Sequence, residues 1–112
     1  MSLFDRGKTP MIDEFALKLA ADLAQRYPPD LENQQPRKRN PQRLQRAFDA
    51  TFNNAIAFQH EHQLGIYGKA RLGNTFRWEL KRLGFPEDFI ELTTKSLVRF
   101  VAAQRTKAAG TK

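Results

Sequence analysis

Residues 40–64, NPQRLQRAFDATFNNAIAFQHEHQL, decide the fold class. Asn40-Pro41 opens the stretch as a cap followed by proline. An asparagine side chain can accept the first free N–H groups of a helix, and proline at the first helical position has no N–H to leave unpaired. Apolar side chains then recur with a helical period. Leu44, Ala47, Phe48, Thr51, Phe52, Ala55, Phe58, Gln59 and His62 fall on one side of the wheel, and Arg46, Asp49, Asn53, Ala57 and His60 fall opposite. A stripe that wide belongs to a helix facing a core. The spacing predicts a helix over residues 41–63, closed at Leu64-Gly65 by glycine.

The same signals recur on both sides. Thr9-Pro10 reads as another cap and proline, starting a helix whose inner face carries Ile12, Phe15, Ala16, Leu19, Ala20, Leu23 and Tyr27. Glu14 with Lys18 and Asp22 with Arg26 add acid-before-base pairs four apart. Pro28-Pro29 stops that helix. C-terminal to the central stretch, Leu72, Phe76, Leu80 and Leu83 form a narrow stripe over residues 69–83. After Leu83-Gly84-Phe85, Pro86 starts a last helix with Glu87 and Asp88 in its first turn, where acids complement the positive helix end. Phe89, Ile90, Leu92, Thr93, Ser96, Leu97, Phe100 and Val101 give it a broad apolar face down to about residue 104. No stretch alternates with the period of a strand. The expected fold is all-α: one four-helix domain over residues 1–112, bundle-like. Residues 1–9 are expected to be a loose lead-in, residues 28–40 a proline-rich basic loop, and residues 105–112 a basic, frayed tail.

Composition supports one globular unit. The chain has 112 residues, 40% hydrophobic and 28% charged, with nine phenylalanines to fill a core. The absence of cysteine removes thiolate chemistry, a cysteine zinc site and a disulfide framework. The longest unbroken apolar runs are only four residues, so neither a membrane helix nor a secretory signal fits, and a cytoplasmic chain is expected.

Charge gives the strongest hint of a partner. The chain carries +7, and the excess is uneven: residues 1–34 balance at −2 and residues 35–112 at +9. Such asymmetry points to an anionic partner, nucleic acid or an acidic protein. Two features concentrate it. Arg37, Lys38 and Arg39, followed by Arg43, crowd the start of the central helix. There they oppose the helix dipole, and a phosphate would turn that repulsion into attraction. Trp78 lies away from the apolar stripe of its helix, with Arg71, Asn74, Thr75 and Arg82 on its side. A tryptophan between arginines can stack a base while the guanidinium groups hold phosphate. Alternatively, a second helix covers that face and Arg82 stacks on the ring as a structural pair.

Catalytic and metal chemistry find no support. Ser2 and Ser96 lack a base at useful spacing. His60 and His62 are two apart on a helix and point to opposite sides, so they cannot share an ion, and His62 falls on the apolar stripe. Gly65-Ile66-Tyr67-Gly68-Lys69-Ala70 fails as a Walker loop, whose glycines are further apart and follow a strand. It is similar to the G-x-x-G turn with which KH domains clamp RNA. Its middle residues are apolar, however, and no strands complete such a sheet, so an ordinary helix–helix turn is expected.

The expected function is therefore a small basic binding module without enzymatic activity, cofactor or metal, contacting nucleic-acid phosphates through Arg37, Lys38, Arg39, Arg43, Arg71, Trp78 and Arg82. The alternative is a protein-interaction domain or homodimer with an acidic or helical partner. Its support is the breadth of the last helix's apolar face, including Val98. No helix combines a strongly basic face with a free apolar one, which disfavours attachment to a membrane surface.

Overall fold

The computed structural model describes residues 2–34 and 40–110, and within them the side chains of residues 9–33 and 40–102. Among these the chain is all-α: α1 Ser2–Arg26, α2 Pro29–Gln34, α3 Pro41–His62, α4 Ile66–Arg82 and α5 Glu87–Gly110. Four long helices and one short one make the domain. α1 packs chiefly on α4, α4 on α5, α5 on α3, and α3 back on α1. Consecutive helices α3 and α4 meet at the edge-on Phe52–Phe76 ring pair and are not among the extensively packed pairs. The Cα positions span 44 × 32 × 19 Å, a slab about two helices thick.

α3 follows its sequence signal closely. The Asn40 side chain accepts hydrogen bonds from the N–H groups of Gln42 (3.0 Å) and Arg43 (3.1 Å), with Pro41 at the first position. Leu44, Ala47, Phe48, Thr51, Phe52, Ala55 and Gln59 are buried as the wheel requires. Phe58 and His62 are half-buried, and Phe58 stacks on Phe15 of α1 with ring centroids 3.9 Å apart. The C-terminus differs from expectation. Gln63, not glycine, takes the left-handed conformation (φ 50°, ψ 56°) and donates its N–H to the Gln59 carbonyl. Gly65 is extended and serves as the N-cap of α4.

Four further boundaries move. α1 begins at Ser2, so Pro10 sits inside it and residues 2–9 are helical backbone instead of a loose lead-in. Proline forfeits its own N–H bond and crowds the carbonyl four residues back, which weakens or kinks a helix without dictating that none precedes it. In the expected loop, α2 uses Pro29 as a helix start, with Asp30 and Glu32 in the first turn. Pro29 thus follows the end of one helix and opens the next. α2 is held down by Tyr27, whose hydroxyl donates to buried Glu32 (2.9 Å), and by Asn33, whose amide donates to the Gly84 carbonyl (2.9 Å). Third, α5 continues to Gly110 instead of stopping near residue 104. α4 starts at Ile66, so the anticipated glycine turn is mostly helix. Gly68 lets α4 pass close to its neighbours: a Cβ there would stand 3.2 Å from the Leu64 Cβ, which would have to give slightly, and in ordinary contact with Ile12 at 3.5 Å.

The α4–α5 corner is a Schellman motif. Gly84 (φ 102°) donates to the Lys81 carbonyl and Phe85 to the Leu80 carbonyl. Phe85, buried, stacks on Phe89 at 4.6 Å, and Phe89 stacks on Tyr27 at 5.6 Å. A second aromatic cluster centres on Phe52, with Phe48, Phe76 and Phe100 around it. The broad face of α5 divides in two. Phe89, Ile90, Thr93, Leu97 and Val101 turn into the core. Leu92, Ser96 and Phe100 instead line an open groove of ≈ 630 Å³ against Leu44, Phe48 and Phe52 of α3, with Arg99 and Gln45 also on its walls. No helix among the described residues is long and apolar enough to cross a membrane.

Candidate functional site

α4 buries Gly68, Leu72, Phe76, Glu79 and Leu80 against α1 and α5. At 100° per residue the opposite face carries Tyr67, Asn74, Trp78 and Lys81 in one row, with Ala70 beside it. All five are exposed, Trp78 at 55% and Tyr67 at 58%. Among the described residues no helix covers Trp78, which answers the question its sequence position left open.

The cations at Trp78 are not the expected pair. Over the ring stand Lys81, with Nζ 5.4 Å from the centroid, and Arg77, with Cζ 5.9 Å away. Arg77 is steadied by Glu87 at the start of α5 (3.2 Å). Arg71 and Arg82 are engaged elsewhere. Arg71 grips Asp13 of α1 with Nε and Nη2 at 2.9 and 2.7 Å, and Thr75 donates to the same carboxylate at 2.8 Å. Arg82 grips Glu79 at 2.9 and 2.6 Å, lying exposed over a carboxylate that is itself only 10% exposed. Each arginine spends two of its three nitrogens on the pair and keeps the third for another acceptor.

The basic cluster before α3 divides as well. Arg37, Lys38 and Arg39 lie outside the described residues. Arg43 donates from Nε to the Arg26 carbonyl (3.3 Å), capping the end of α1. The N–H groups at the start of α3 that would seat a phosphate are occupied by Asn40. Positive charge near this helix start is present, but the two donors best placed for an anion are taken. Among the described residues, Trp78 and its neighbours are therefore the more open part of the expected surface.

Only a notch of ≈ 20 Å³ lies beside Trp78, lined by Arg77, Lys81, Glu87 and Ile90. That is far below the ~300 Å³ at which ligand pockets begin. The ring offers a face for stacking, not a slot. Among the described residues no group of three metal-ligating side chains converges. Sequence reasoning named Trp78 but passed over Lys81, three residues on and therefore on the same face, and Tyr67, eleven residues back on the same line.

The two carboxylate–arginine clamps have a pH consequence. The hydrogen bond from Arg71 holds Asp13 below its ordinary value of 3.8, against a burial effect that raises it, and Thr75 adds to the lowering. Arg82 does the same for Glu79, below 4.5. Both groups bind protons less tightly folded than unfolded, so their stabilisation is complete above about pH 4.5 and is lost as pH falls through the lower folded values. Urea midpoints should fall between pH 6 and pH 3, and Asp13→Asn should fall less over that range than wild type. Equal slopes would show that the α1–α4 clamp contributes nothing.

Comparison with protein families, curated proteins and solved structures gives no match.

Proposed function

We propose that this chain is a small, non-enzymatic, cytoplasmic binding module that contacts nucleic acid through the outward face of α4. The observation that carries the reading is Trp78, more than half exposed with an ammonium and a guanidinium against its ring. A base stacking on the ring can displace one of these cations, which then reaches the adjoining phosphate. Lys81 has no carboxylate partner among the described residues and is the most available charge. Arg77, Arg71 and Arg82 hold donors beside it, each fixed by a carboxylate. Arg37, Lys38, Arg39 and Arg43 add to the +7 charge that draws a polyanion in. Such contacts give affinity with little base specificity.

The test is anisotropy of labelled mixed-sequence oligonucleotides, followed together with Trp78 emission as salt is raised. Binding at low salt should weaken linearly in log–log form, by about 0.7 to 0.9 of a decade per decade of salt for each phosphate neutralised. Absence of binding at low salt would falsify the reading.

A second reading, a protein-interaction domain, is supported by the apolar α3–α5 groove with Leu92 exposed at its edge. It predicts association that changes little with salt, and a homodimer would elute at twice the monomer mass.

A further inference from the structure

We infer that the nucleic acid taken by this face is a single strand, laid along α4 with one base on Tyr67 and another on Trp78. The inference rests on the nucleic-acid reading and goes beyond it in naming the substrate class and a second stacking residue.

The two aromatic residues are eleven apart in one helix. That separation is about 16 Å along the axis and only about 20° around it. Both are more than half exposed. Between them the row holds Ala70 and Asn74, also exposed and short, so no bulky side chain interrupts the path. The long side chains at its edges are tied back, Arg71 to Asp13 on the α1 side and Arg77 to Glu87 on the α5 side. The result is a track with an aromatic ring at each end and a cation beside each ring: Arg71 four residues after Tyr67, and Lys81 three residues after Trp78.

Stacking on a side chain requires a base whose face is free. In a duplex those faces are covered by neighbouring pairs except at the two ends, so a duplex cannot offer bases to two rings on the same helix face. A single strand meets no such obstacle. At the ~3.4 Å per nucleotide of a stacked strand, the distance between the rings is about five steps, hence about six nucleotides, and a strand drawn out to free its bases spans it with fewer.

The test uses the full chain with labelled oligothymidylates of two to ten nucleotides, and a blunt ten-base-pair duplex, at low salt. Affinity should rise with strand length and level off by about six nucleotides, and the ten-nucleotide strand should outcompete the duplex. Tyr67→Ala should weaken the ten-nucleotide strand by roughly 5- to 150-fold. For a dinucleotide, which reaches one ring at a time, the loss should be no more than about twofold. An unchanged thermal midpoint would establish that the variant is folded. A duplex that binds as tightly as the strand, with Tyr67→Ala silent, overturns the single-strand inference and leaves the nucleic-acid reading standing. If no oligonucleotide binds at low salt, the underlying reading falls as well. Elution as a dimer that Tyr67→Ala converts to monomer assigns the track to a second copy of the chain and overturns both.

Discussion

Phe52→Ala is expected to cost about 3–5 kcal/mol, a large share of the ~5–15 kcal/mol that holds a domain of this size together. Phe52 is 1% exposed and lies where three helices meet. Its ring is 5.1 Å from Phe48 on its own helix, 6.3 Å and edge-on from Phe76 of α4, and 5.7 Å from Phe100 of α5. Truncation removes the ring's burial and also the aromatic pairs, each worth ~0.5–1.5 kcal/mol beyond area. It leaves a void that cannot close easily, because three separate helices would have to move together. Phe52 also lines the α3–α5 groove, so its loss deepens an opening already ≈ 630 Å³ in volume. Two readouts should change together: the urea midpoint should collapse, and binding of a hydrophobic dye should rise. Asn53→Ala, one residue along on the exposed face, should stay within about 0.5 kcal/mol of wild type. Similar midpoints for the two variants would mean that α3 does not face the core as described.

That contrast between adjacent residues was legible in the sequence, because helical period alone separates Phe52 from Asn53. The same holds for the Asn40 cap, for Gly84 and for the inner faces of α1 and α4. Boundaries were less legible where proline or glycine was taken as punctuation. Pro10 removes one N–H bond and crowds the carbonyl four residues back, yet the eight residues before it remain helical. Gly65 reads as a C-terminal glycine, yet Gln63 absorbs the left-handed turn and Leu64 after it is buried. The candidate site was half legible. Wheel spacing places Arg71 on the side of Trp78, but only the fold reveals Asp13, 58 residues away, which claims it. Glu79 with Arg82 is a local pair three apart, and its signal was in the sequence.

Trp78→Ala is expected to lower oligonucleotide affinity by about 1–3 kcal/mol, the value of one base stacked on an aromatic ring. The fold should barely register the change, because more than half of Trp78 is exposed. Salt then separates the roles of the ring and its neighbour. Stacking neutralises no phosphate, so Trp78→Ala should shift the salt plot downward without altering its slope. Lys81→Ala removes one free cation and should flatten the slope by about 0.7 for a single strand. Arg71→Ala behaves differently again. It breaks the clamp on Asp13 that ties α4 to α1, so its first effect should be on the unfolding midpoint. A Trp78→Ala variant that keeps full affinity would remove stacking from the account, leaving a basic surface that attracts polyanions by charge alone. Changes in slope and changes in intercept therefore report on different residues. A surface that merely happens to be basic would give the first without the second.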